Sequence, residues 1–312
     1  MEQTNTVVQE KKTLKKRQKD AIFVACLVAL PLIHYTIFYV YVNFNSVLLA
    51  FQRYDVVNGI YRFAGFDNFN DIIIKIVNTG LLLSSLKNSL LYYVIHTAVG
   101  TTACLLFSYY IFKKRFASKV FKTMLFLPSI ISSIALSLMF KYFINDGISA
   151  FLQKSIGPDF PILMENPDTI FGVVIFYGVW MGFGTSLLMY SGAMSNISDS
   201  VMEAAQIDGA GEFNQFIRIV LPLIYPTITT FLINGVATIF AADMHLYAFY
   251  GGSAPDRVAT FGYILIKETR SASGDLAGYP YPAAIGLLLT LVTVPLTMLV
   301  RWALNKFGPK TV

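Results

Sequence analysis

Charge is the first thing this chain lacks. Only 13% of its 312 residues are Asp, Glu, Lys or Arg, against about 25% in a soluble domain. With 55% hydrophobic residues and a mean hydropathy of +0.59, water is excluded as its main solvent. Cysteine is nearly absent. Cys26 and Cys104 both fall in apolar runs and read as small buried apolar residues. No C-x-x-C or Cys/His cluster points to a metal or redox site. G-x-x-x-x-G-K-[ST], G-x-S-x-G and H-E-x-x-H are missing too, so no P-loop binds ATP and no catalytic constellation or cofactor site is expected. Polar stretches long enough for an independent core are also missing. The longest pieces between apolar runs are 44–83, 144–169, 194–222 and 251–282, each too short to bury one. No repeat with a 20–50-residue period is present.

What the chain does have is apolar length. A membrane-crossing helix needs about 20 apolar residues. Six segments qualify: 21–43, 84–112, 121–143, 170–193, 223–250 and 283–304. The first follows a basic stretch, as a secretory signal does. Its run is too long and no A-x-A-like site follows, so a retained anchor is expected. Aromatic residues, at 15%, suit bilayer interfaces.

Lys and Arg set the topology. Six precede the first span, from Lys11 to Lys19. Five more lie in the short loop 113–122, namely Lys113, Lys114, Arg115, Lys119 and Lys122. Arg218, Arg301, Lys306 and Lys310 fall on the same side. The positive-inside rule then puts both termini and segment 194–222 in the cytoplasm. The net charge of +6 is therefore a topology signal. It does not indicate nucleic-acid binding, which needs a basic face on a soluble domain. The N-terminal arm either touches anionic membrane lipid or is a solvated charged tail.

Residues 203–226, EAAQIDGAGEFNQFIRIVLPLIYP, are rich in charge and hydrogen-bonding groups between two apolar runs. Ser200 and Glu203 fit a capping box for a short helix ending near Asp208. Gly209 permits the turn that follows. From Phe213 a second helix is expected, its stripe Phe213, Phe216, Ile217, Val220 and Leu221 packing on the bundle and Pro222 ending it. In the outer loops, 69–77 is expected to lie on the membrane surface as an amphipathic helix. Loop 251–282 is long enough to be functional, with partner contact the preferred reading.

The run E-A-A-x-x-D-G-A-x-x-x-x-F-x-x-I-x-L-P-x-x-x-P resembles the EAA loop of ABC-importer permease subunits. Glu203, Ala204, Ala205, Asp208, Gly209, Ala210, Phe216, Ile219, Leu221, Pro222 and Pro226 match it. The likeness continues in FAGFDNF (63–69), in Asn88-Ser89-Leu90, in LFLPSIIS (125–132) and in GTSLLMYSGAMSNIS (184–198). It also covers Gly252 to Pro255 with Thr260 and Tyr263, where Ser253 and Ala254 depart from the family pattern. The family is the carbohydrate-uptake class, in the half similar to the maltose-system F subunit, without that subunit's extra helices and large outer domain.

The resemblance implies an all-α integral membrane protein, a type I ABC importer permease bundle of six transmembrane helices with a cytoplasmic coupling helix. It implies a division into a basic arm (1–20), a first helix with its outer loop (21–83), a five-helix core (84–304) containing the EAA loop 194–222, and a tail (305–312). The implied partners are a second permease, two ATP-binding cassette ATPase subunits and an extracytoplasmic solute-binding protein, with a carbohydrate as cargo. Glu203, Ala204, Ala205, Asp208, Gly209 and Ala210 become the ATPase-coupling residues.

Polar groups at membrane depth are costly and informative. Tyr177, Trp180, Thr185 and Ser186 in the fourth span, and Asn234, Thr238 and Asp243 in the fifth, either line a sugar path or hold helices together. Asn234 and Thr238 share a helical face. His96 and His245 read as structural. A phosphate cargo would call for Arg or Lys in these spans, and a polyamine for several carboxylates. A membrane-embedded enzyme would need clustered His, Asp or Glu. None of these patterns is present, so a neutral polyol or oligosaccharide fits best.

Overall fold

The computed structural model describes residues 2–309. Helix α1 begins at Glu2 and continues through a π turn to Ala50. The N-terminal arm is thus backbone-continuous with the first span, whose apolar, membrane-length part is Gln18–Ala50. A β-hairpin follows, β1 (Gln52–Asp55) pairing antiparallel with β2 (Ile60–Phe63). The all-helical expectation did not foresee it. The turn is set by Asp55, whose carboxylate accepts from the Val57 and Asn58 amides and from the Asn58 side chain.

The remaining elements are helical. They are α2 (Asp67–Thr79), α3 (Leu81–Phe112), α4 (Ser118–Ile130), α5 (Ser133–Ser155), α6 (Ile170–Ser195), α7 (Asp199–Ile207), α8 (Glu212–Leu223), α9 (Tyr225–Ala237), α10 (Leu246–Tyr250), α11 (Phe261–Ser271) and α12 (Pro280–Phe307). The apolar part of α1, with α3, α6 and α12, is long and apolar enough to cross a membrane. The pairs α4–α5 and α8–α9 qualify only together, bent by 103° and 68°, so by length and composition the described residues hold four to six candidate spans.

The breaks have local causes. Pro128 sits in a 3-10 turn and Ile131 is extended, which bends the third predicted span. Pro226 lies in the first turn of α9, where its ring would clash with the carbonyl four residues back in a continuous helix. The bend therefore falls at Ile224; Pro222, expected to end the elbow helix, lies inside it.

The fifth predicted span, 223–250, is not one helix. It stops at Ala237, and Met244 and His245 follow in the left-handed region at φ 55° and 59°. Non-helical backbone at membrane depth survives only inside protein or along a cavity. Here α11 covers it, because Gly262 lies so close that a Cβ there would come within 2.5 Å of Ala241 backbone.

Packing is concentrated at two ends. Toward the loops that the distribution of Lys and Arg assigns to the outside, Tyr177, Tyr263, Met164, Leu246 and Ile285 are fully buried in one cluster. At the elbow, Met194, Met202, Phe216, Val220 and Ile224 form another. Between them Cys104, Leu187 and Tyr190 form a small third. Cys104 is buried as expected, but Cys26 is exposed on α1. The α2 helix buries Phe69 and Ile72 against the outer cluster and exposes Ile73 and Ile74.

Candidate functional site

The elbow is two helices joined by a tight glycine turn. Ser198, not Ser200, precedes α7, and its backbone is extended. No side chain caps the helix. Ser200 Oγ contacts only Ser198 Oγ, at 2.9 Å, among the described residues. The capping box read from Ser200 and Glu203 is therefore not formed, and Glu203 projects to the exposed surface. The other end behaves as read. Gly209 has φ 74°, its amide bonds Gln206 O at 3.0 Å, and Ala210 N bonds Ala205 O at 2.9 Å. That pair of bonds is the Schellman closure, which needs a left-handed residue where Gly209 stands.

Of the six elbow residues, Ala205 is buried, Ala210 is half-buried, and Glu203, Ala204, Asp208 and Gly209 are exposed. The stripe on α8 is partly different from the one read. Phe216 and Val220 are buried, but Phe213 is 73% exposed and Ile217 is exposed. Ile207 is likewise 86% exposed, so the elbow presents two large apolar side chains on its surface. The residue sequence reasoning missed is Gln215. It is 3% exposed, donates Nε2 to Ala210 O at 2.6 Å, and accepts from Lys113 Nζ at 2.6 Å.

A cavity of about 310 Å³ with several polar side chains in its wall lies between α3, α6 and α9. Asn234, Thr238 and Ser186 line it, as the shared helical face of the first two requires. Opposite them stand Tyr92, Tyr93, His96, Thr97 and Thr101, all from α3. No Lys, Arg, Asp or Glu lines it. The contribution of α3 was not read from sequence. Its signal was nevertheless present, since Tyr93, Thr97 and Thr101 recur every four residues and so stack on one face.

Tyr177 and Trp180 are elsewhere. Tyr177 is fully buried in the outer cluster, its hydroxyl 2.9 Å from Ser137 Oγ, and Trp180 packs on Phe140 and on Tyr177 itself. Thr185 is exposed and does not line the cavity. Asp243 sits just past the cavity residue Ala242, where its carboxylate accepts from His245 N at 3.2 Å. His245 meets Ser133 Oγ at 3.2 Å through Nδ1.

Two motifs noted separately in sequence form one unit. Asn88 donates to Arg257 O and Ala259 O, at 2.9 and 3.0 Å. Ser89 Oγ accepts from Phe261 N at 3.0 Å. Thr260 Oγ1 donates to Ala242 O at 2.9 Å and accepts from Tyr263 N at 3.2 Å, capping α11. Tyr263 OH in turn donates to Gly251 O at 3.1 Å and accepts from Ala254 N at 2.9 Å. Loop 251–260 is thereby stapled both to α3 and to the broken segment beside the cavity. FAGFDNF has a comparable local role, its buried Asn68 bonding Ala50 O and Gln52 O where α1 ends.

Residues 81–312 match the model of the family described as binding-protein-dependent transport system inner membrane component, and the chain belongs to that family. It is 26% identical over 278 residues to the sn-glycerol-3-phosphate transport system permease protein UgpA of Escherichia coli O157:H7, covering 88% of this chain and 90% of that one. It is 26% identical over 290 residues to the lactose transport system permease protein LacF of Rhizobium radiobacter, covering 90% and 92%. A chain in the crystal structure of a bacterial alginate ABC transporter, in complex with an alginate pentasaccharide-bound periplasmic protein, superposes with a TM-score of 0.76 at 20% identity. That match covers 96% of this chain and 99% of that chain, and it shows the shared fold. The protein is thus a multi-pass membrane permease of a binding-protein-dependent transport system.

Proposed function

We propose that this chain is one half of the pore of an ATP-driven importer for a neutral sugar or oligosaccharide. The cavity carries the reading. Tyrosine rings suit the flat faces of sugars, and Asn234, Thr97 and Ser186 supply groups that donate and accept hydrogen bonds. UgpA is named for a phosphorylated cargo. Such a cargo calls for Arg or Lys, and none lines this cavity. LacF is named for a sugar, which the uncharged wall fits. Of the residues expected on the path, Asn234, Thr238 and Ser186 are retained for it. Tyr177 and Trp180 act as its packing support, and Asp243 acts through the segment it braces.

With each bent pair counted as one crossing the chain spans the membrane six times, and the distribution of Lys and Arg argues for both termini in the cytoplasm. A second permease completes the pore. Two ATPase subunits dock on the elbows, where Glu203, Ala204, Ala205, Asp208, Gly209 and Ala210 form the coupling surface and Ile207 and Phe213 its exposed apolar part. A solute-binding protein presents the cargo at the outer loops. Closure of the ATPases draws the elbows together, and the halves rock between two packed states. Gentle affinity purification from the native membrane tests this reading. One P-loop ATPase and one second permease are expected to come with the chain. Recovery of this chain alone in several detergents refutes the assembly, and loss of sugar uptake on deleting the gene tests the cargo.

A further inference from the structure

Helix α3 touches three separate stations. At its outer end Asn88 and Ser89 hold loop 257–261. At its middle Tyr92, Tyr93, His96, Thr97 and Thr101 form one wall of the cavity. At its inner end it is bound to the elbow. There Tyr109 OH donates to Glu212 O at 3.1 Å and its ring packs on Phe216, with centroids 4.8 Å apart. Arg115, just beyond the helix, pairs with Glu212. Lys113 Nζ bonds Gln215 Oε1.

Gln215 is the centre of this joint. Its amide is buried, with the oxygen held by the α3 side and the nitrogen by Ala210 O, the residue that closes the turn after α7. Two side chains therefore connect the turn of α7 to the end of α3. The exposed Arg115–Glu212 pair adds little, because water screens it and holding two long side chains in one geometry costs entropy. A buried amide that loses a partner carries a larger penalty, so this joint resists sliding. Packed helices joined in this way move as units.

We propose that Gln215 is the positioning residue of this joint and that α3 carries displacement of the elbow to the cavity wall. The inference rests on the elbow being the coupling element proposed above.

The test uses the assembly as it is purified, with its own ATPase. Thr97→Cys on the cavity wall, in a Cys26→Ser background, is labelled with a water-soluble maleimide with and without ATP. A change in labelling rate of about fivefold or more is expected, at the lower end of ordinary coupling strengths. With Gln215→Leu added, ATP hydrolysis is expected to continue while the labelling change falls below about twofold. Gln215→Glu keeps the acceptor for Lys113 but has no donor for Ala210 O, so it is expected to fall short of the parent's labelling response while ATP hydrolysis continues, a split that a purely structural role would not predict. If Gln215→Leu fails to insert, Lys113→Met severs the same bond from the half-buried side, with the same expectation. A full ATP response in Gln215→Leu or Lys113→Met overturns the role of the joint. No ATP response in the Thr97→Cys parent itself overturns the coupling reading, and this inference with it.

Discussion

Replacing Thr260 by valine tests whether the staple between the outer loop and the broken span is a real constraint. Thr260 is fully buried, and its one hydroxyl serves two backbone groups, the Ala242 carbonyl and the Tyr263 amide. Valine has nearly the same shape, so no cavity opens and the effect isolates the hydrogen bonds. The Tyr263 amide is buried and the Ala242 carbonyl half-buried, and a fully buried group left without a partner costs about 1–3 kcal/mol. Polar pairs in membrane proteins measure lower, about 0.6 kcal/mol on average. The two orphaned groups together thus cost about 2 kcal/mol, consistent with about 1 kcal/mol for a lost helix cap. At roughly 2–4 °C per kcal/mol, the unfolding midpoint of the detergent-purified chain should fall by about 4–8 °C, read by intrinsic fluorescence. Thr260→Ser keeps the hydroxyl and loses one methyl, about 0.8 kcal/mol, so it should fall less. A valine variant as stable as the parent, or more stable than the serine variant, refutes the staple.

Gly262→Ala would drive a Cβ to within 2.5 Å of Ala241 backbone and should cost about 1–3 kcal/mol as overpacking does. Gly286→Ala meets nothing within 4 Å and should be neutral or stabilising by the same melting assay. Because no capping box forms at α7, Ser200→Ala should change the melting midpoint by less than the equivalent of about 0.5 kcal/mol; a loss near 1 kcal/mol would restore the box. The Asn58 side chain and amide hold the Asp55 carboxyl below its ordinary value of 3.8. The order this lends the hairpin is present above the ordinary carboxylate pKa and is lost as pH falls through the depressed one. Side-chain carbon NMR should place its midpoint below 3.8, and Asn58→Ala should raise that midpoint.

Much of the architecture was legible in the sequence because the bilayer leaves few choices. Apolar runs near twenty residues favour helices there, so the long apolar helices can be read without coordinates. The turn at Gly209 was legible for a local reason, since a helix end closed by a left-handed residue favours glycine. The pairing of Asn234 with Thr238 was legible from helical spacing.

What remained depends on contacts between distant segments. Ser200 and Glu203 have capping spacing, yet the helix starts at Asp199 because the chain enters it extended at Ser198. The fifth apolar run breaks at Ala237 because α11 arrives close enough to cover the freed backbone. Tyr177 is an outer-core residue, not a wall of the cavity, because α5 and α10 close over it. By itself, the sequence determined the solvent, the long unbroken apolar helices and the family of this protein, since hydrophobicity, charge and helix-end chemistry are properties of neighbouring residues. Which polar groups share a cavity, and that a buried glutamine joins the elbow to the third helix, was decided only by the tertiary structure, because a hydrogen bond between residues 113 and 215 has no local signature.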